Sequence, residues 1–122
     1  MSDITIEIET GYLPEQSAPQ HSRYAFKYTI TIHNQGPLAA QLISRYWRIT
    51  DAEDQVQEVQ GKGVVGEQPT IEPGSFYRYS SGAVLQTQAG TMEGAYQMRY
   101  PNGDEFETPI PVFALVRPGA LH

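Results

Sequence analysis

Strict alternation of apolar and polar side chains constrains this chain more than any other feature. From Asp3 to Thr10, Ile4, Ile6 and Ile8 fall on one face and Thr5, Glu7 and Glu9 on the other. From Arg23 to His33, the residues Tyr24, Phe26, Tyr28, Ile30 and Ile32 face one way, and Arg23, Lys27, Thr29, Thr31 and His33 the other. A period of two belongs to a strand, whose successive side chains leave opposite faces. No window repeats at 3.6 residues with capping signals, so the sequence predicts almost no helix.

The remaining segments follow the same pattern. Ala40 to Thr50 interleaves Ile43, Trp47 and Ile49 with Leu42, Ser44, Tyr46 and Arg48. Large residues on both faces predict a central strand with Trp47 in the core. Asp51-Ala52-Glu53-Asp54 reads as a hairpin turn into Val56 to Val59. Phe76 to Ser80 predicts a strand, Ser80-Ser81-Gly82 its end, and Gly82 to Gln88 a further extended segment. Gly90 to Tyr100 places Met92, Tyr96, Met98 and Tyr100 in phase; Gly94 shares that phase and marks a bulge or a close backbone approach. An Asn102-Gly103 hairpin signal leads to Glu105–Thr108 and Ile110–Val116, where Pro109 and Pro111 confine the chain to an edge or a bulge. Gly11 to Ser22, with Pro14 and Pro19, is a long polar loop open to binding. The tyrosines are expected in the core or in cross-strand pairs. Seven to nine short strands predict an antiparallel β-sandwich of fibronectin type III or immunoglobulin kind, a single domain over residues 1–122.

Charge and composition remove several functions. The net charge is −6 and the six arginines are scattered, which excludes a nucleic-acid surface and disfavours an anionic membrane. The absence of cysteine excludes disulfides, thiolate metal sites and cysteine nucleophiles. No apolar run reaches the ~20 residues of a membrane span. The N-terminus, Met1-Ser2-Asp3-Ile4-Thr5, lacks signal-peptide character, so a soluble cytoplasmic protein is expected. His21, His33 and His122 form no constellation, and Ser75, Ser80 and Ser81 lie in no nucleophile motif. No catalytic residues and no cofactor are predicted. Asp51, Glu53 and Asp54, or Asp104, Glu105 and Glu107, have the chemistry of hard-cation ligands, but acidic turns of this kind are ordinarily just solvated.

The one motif with chemical content is Gly61-Lys62-Gly63-Val64-Val65-Gly66-Glu67-Gln68-Pro69, a Gly-x-Gly-x-x-Gly spacing holding one of two lysines. A dinucleotide fingerprint needs a helix after the glycines to hold the pyrophosphate. Pro69, Pro73 and Gly74 forbid that helix. Three readings remain for Gly61, Lys62, Gly63 and Gly66. Backbone amides could form an anion nest with Lys62 beside it. The glycines could serve a tight connection between the two sheets, with Val64 and Val65 plugged into the core and Glu67 and Gln68 capping amides. Or the loop could be a rigid protein-recognition element.

Several ordered motifs resemble the bacterial ApaG family. They are Ser44-Arg45-Tyr46-Trp47-Arg48-Ile49-Thr50-Asp51, Val64-Val65-Gly66-Glu67-Gln68-Pro69, Pro73-Gly74 and Tyr79-Ser80-Ser81-Gly82. Gly90-Thr91-Met92-Glu93-Gly94, Tyr96-Gln97-Met98 and Ile110-Pro111-Val112-Phe113-Ala114-Leu115 continue the match, which runs from about Ile4 to His122. The resemblance implies a fibronectin type III-like sandwich. The family also occurs as a domain of some F-box proteins and of a protein that partners a DNA polymerase, which implies an interaction module. It is associated with diadenosine tetraphosphate hydrolase and with cobalt and magnesium handling. Its glycine motif, matched here by Gly61, Gly63 and Gly66, has prompted a pyrophosphate-binding proposal. The expected function is therefore non-enzymatic protein binding, through the glycine loop and an exposed sheet face or edge. The alternative is a phosphorylated small molecule held at residues 61–66. Self-association into a homodimer is a further expectation.

Overall fold

The computed structural model describes residues 3–119; His122 lies outside the described residues. Eight strands run in order: β1 (Ile4–Tyr12), β2 (Tyr24–Asn34), β3 (Ala40–Asp51), β4 (Val56–Lys62), β5 (Thr70–Ile71), β6 (Phe76–Leu85), β7 (Ala89–Arg99) and β8 (Glu105–Val116). Helical structure among the described residues is confined to two short 3-10 turns, Pro14–Gln16 and Pro19–His21. One sheet has the order β1-β2-β6. The other has the order β4-β3-β7-β8, with β5 paired to β3, and every pairing is antiparallel. The expected antiparallel β-sandwich is the observed fold.

The inner faces follow the alternation. Phe26, Tyr28, Ile30 and Ile32 of β2 meet Trp47, Met92, Tyr96 and Met98 of the other sheet in one buried cluster. Trp47 is the hub: its ring meets those of Tyr28, Phe113 and Tyr96 at 5.3, 5.8 and 6.4 Å, at the steep angles aromatic rings favour. The long loop after β1 is tied down by its own hydrogen bonds. The Leu13 amide donates to the Ala25 carbonyl, and Ser17 Oγ accepts from the Ala25 amide and donates to the Leu13 carbonyl, each at 2.8 Å.

Two register shifts resolve ambiguities in the sequence pattern. On β3, Leu42 pairs with Met98 but Ser44 pairs with Gln97, so Ile43 is an extra residue. The buried phase therefore changes from Ala40 and Leu42 to Trp47 and Ile49. β3 is central, as expected, but its two-sided hydrophobicity comes from this bulge. On the edge strand β8, Ile110 pairs with Gly94 and Phe113 with Met92, so Pro111 and Val112 together oppose Glu93. Pro111, which has no amide to donate, sits where the ladder is broken. Gly94 is a close-approach residue: a Cβ there would lie 1.9 Å from the Tyr46 carbonyl oxygen.

One boundary is corrected. Ser80-Ser81-Gly82 was expected to end a strand but lies inside β6, whose pairing with β2 continues from Phe76 to Leu85. Ladder hydrogen bonds and the buried Ala83 and Leu85 carry the strand through residues of low strand propensity.

The sandwich is closed on one side only. The edges β1 and β8 pack against one another, and no comparable packing joins β4 to β6.

Candidate functional site

The glycine stretch is divided between a strand and a turn. Gly61 and Lys62 belong to β4, opposite Arg45 and Ser44 of β3. Gly63 turns the chain with φ +65°, and its amide donates to the Ile43 carbonyl at 2.8 Å. Val64 and Glu67 then exchange two backbone hydrogen bonds, of 2.8 and 2.9 Å, around a two-residue tip with Val65 at φ +42° and Gly66 at φ +83°. Both tip residues are left-handed, as in the tight hairpin turns that match strand twist.

This placement corrects three expectations. The loop leads from β4 to β5, both partners of β3, so it joins strands of one sheet and not the two sheets. Val64 is fully buried, but Val65 stands exposed at the tip, because a hairpin turn holds its central residues away from the body. Gln68 caps a carbonyl instead of an amide: its Nε2 donates to the Ile43 carbonyl at 2.8 Å. The Glu67 carboxylate accepts from the Tyr77 hydroxyl of β6 at 3.0 Å. That carboxylate raises the Tyr77 pKa, together with the larger effect of desolvation.

Arg45 completes the site, and the sequence reading did not single it out. Its Nη1 donates to the carbonyls of Gly63 at 2.9 Å and Lys62 at 3.3 Å. The guanidinium occupies the space a Gly61 side chain would need; a Cβ there would lie 2.7 Å from Nη1. Among the described residues the ion pairs are His33–Glu7 and Arg99–Glu105, so Arg45 has no carboxylate within 4.0 Å. Arg45, Gly61 and Lys62 border a shallow depression of about 420 Å³ that continues over Ser44, Tyr46 and Gln97. The Tyr46 hydroxyl donates to Glu58, and that hydrogen bond raises the Tyr46 pKa.

The acidic turns behave as local structure. Asp51 Oδ1 accepts from the amides of Glu53 and Gln55 at 2.8 and 3.0 Å, an Asx-type turn. Glu105 is held below its ordinary range by its hydrogen bonds to Arg99. Among the described residues no group of three His, Asp or Glu side chains is arranged to hold a metal. None of their helices is long and apolar enough to cross a membrane.

The family model of the ApaG domain (DUF525) matches residues 14–100. The chain belongs to the ApaG family. It is 58% identical to Protein ApaG of Thiobacillus denitrificans and 56% identical to Protein ApaG of Pseudomonas aeruginosa, in each case over 98% of this chain and 94% of the relative. The crystal structure of the Bordetella pertussis protein described as ApaA superposes with a TM-score of 0.93 at 49% identity, covering 96% of this chain and 95% of that one. The ApaG resemblance read from the motifs is thus borne out along nearly the whole length.

Proposed function

We propose that this ApaG-family protein is a non-enzymatic, cytoplasmic binding module that holds a protein partner through the tip of its glycine loop. The observation that carries this reading is Val65. It is 56% exposed and left-handed, at the position where such a turn favours glycine or asparagine. A β-branched side chain there works against local stability and exposes apolar surface, a combination that a contact residue explains and a purely architectural turn does not. The pathway proposed for the module, by family resemblance, is that of diadenosine tetraphosphate and of cobalt and magnesium handling.

The test is a photo-crosslinking amino acid at position 65, with the same group at exposed Glu9 as control. The expected outcome is one protein crosslinked from position 65 and not from position 9. Identical products from both positions would overturn the reading.

A second reading, a phosphate-containing ligand at Gly61, Lys62, Gly63 and Gly66, is favoured by the Arg45 guanidinium, which has no carboxylate partner. The loop's own amides offer it little, since those of Gly63, Val64 and Glu67 already donate to protein carbonyls. It predicts that pyrophosphate shifts the Gly61 and Lys62 amide resonances and that Lys62→Ala weakens the effect. Equal affinity in that variant removes this reading.

A further inference from the structure

The geometry points to the open side of the sandwich as a groove for an extended peptide of the protein partner, one that carries an apolar residue beside a carboxylate. The inference rests on the protein-binding reading and gives that reading a second site and a chemistry.

The groove follows from the topology. Among the described residues β4 pairs only with β3 and β6 only with β2, so each presents to them one unpaired side of its backbone. Such edges accept an added strand. Two adjoining depressions, of about 240 and 270 Å³, run between these edges and share Ile49, Gln57 and Val84. Val56 of β4 and Val84 of β6 line it and stand 47% and 43% exposed, one on each bank. At one end lies Asp51 and at the other Arg45. From Arg45 to Asp51 is six strand steps, about 20 Å at ~3.3 Å per residue. That length suits about six residues of extended chain.

The chemistry of the occupant follows from what the groove lacks. Among the described residues Arg45 is the one cation on its lining, and Nε and Nη2 remain as donors after Nη1 has bonded two carbonyls. A planar guanidinium matches a carboxylate in a bidentate pair, and a carboxylate is the anion that an unmodified peptide supplies. Because the protein carries a net charge of −6, one carboxylate at this end fits better than an acidic run. Beside Arg45 the lining turns apolar, with Trp47, Val59, Ala83 and Met92. Trp47 is 2% exposed, and its Nε1–H is the one buried side-chain polar atom among the described residues without a hydrogen-bond partner. A buried donor in this state costs free energy, and it belongs to a residue that lines the Arg45 end of the groove. The Glu67–Tyr77 bond between loop and β6 lies beyond the Arg45 end, beside the strained tip proposed as the first contact.

The test uses linear random peptides displayed on phage and selected on the intact protein. Synthetic copies are then measured by titration calorimetry and by NMR. The expected outcome is enrichment of an acidic residue next to an apolar one, with saturable shifts of the Trp47 indole N–H and of β4 and β6 amides. Val84→Arg, at an exposed position, and Arg45→Gln should each weaken binding about tenfold or more. Three results would overturn the groove: no enriched peptide, peptides that bind Val84→Arg as tightly as wild type, or an unmoved indole resonance. Concentration-dependent dimerisation of the wild type that Val84→Arg abolishes would also overturn it, by making a second copy the occupant. Each of these leaves the loop reading standing, because crosslinking at position 65 is scored independently.

Discussion

The Tyr79 hydroxyl lies 2.5 Å from the Tyr96 hydroxyl, a single polar bond that ties β6 of one sheet to β7 of the other through the hydrophobic core. Removing one member leaves a buried hydroxyl unpaired, whereas removing both leaves none. Tyr96→Phe and Tyr79→Phe are each expected to lower stability by about 1–3 kcal/mol. The double variant should cost less than the sum of the two, as residues in direct contact do. Urea unfolding of the four proteins measures this cycle, and strict additivity would show that the bond carries no coupling.

The same pair should contribute to the alkaline limit of the fold. Burial pushes both hydroxyls above the ordinary value of 10.0, and for Tyr96 the neighbouring Tyr79 raises it further. The folded state thus keeps protons that the unfolded chain releases. Their contribution is present in full below pH ~10 and is lost as the pH rises beyond it, since stability falls wherever the folded state binds more protons. The wild type should lose stability steeply above pH ~10, and the Tyr79→Phe/Tyr96→Phe variant less steeply from its own lower starting point. Denaturant titrations at a series of alkaline pH values give both slopes; parallel curves would contradict the assignment.

Within the glycine loop the cost of a side chain should differ sharply by position. At Gly63 a Cβ would lie 2.1 Å from the Glu67 carbonyl oxygen, on a backbone already left-handed. At Gly66 the same atom meets nothing within 4 Å. Gly66→Ala is expected to cost about 1 kcal/mol, the conformational term alone. Gly63→Ala adds a backbone clash and should cost about 3 kcal/mol or more, in the range reserved for disrupted packing. Thermal unfolding separates them. Similar costs would mean that Gly63 is not architectural.

Alternation made most of the fold legible, because β1 and β2 each bury one face with a period of two. The central place of β3 and an edge or bulge at Pro111 were legible as well, but not the exact register at which Ile43 and the pair Pro111–Val112 interrupt the ladder and swap the buried phase. A bulge is specified by the partner strand, and a single strand's pattern does not contain it. The glycine spacing located the loop but not its roles. Gly61 makes room for Arg45, sixteen positions earlier on a neighbouring strand, and that pairing exists only once β3 and β4 are in register. Asn34 escaped notice for the same reason. It reads as the start of a turn, yet its buried amide donates to the carbonyls of Leu38 and Ile71 and accepts from the Gly36 amide.

Val65 offers the sharpest separation of stability from function. Its φ of +42° is unfavourable for an L-residue and most of all for a β-branched one, while asparagine tolerates it. Its side chain is exposed, so replacing it removes little buried surface. Val65→Asn should therefore stabilise the protein by about 1 kcal/mol, the usual scale of the left-handed penalty. If the valine is kept for a partner, the same substitution should weaken capture of the protein crosslinked from position 65. Chemical denaturation and a binding titration with that purified protein read the two effects separately. A gain in stability with a loss of binding would mean that the strain serves recognition. A gain in stability with binding unchanged would move the partner contact away from the loop tip.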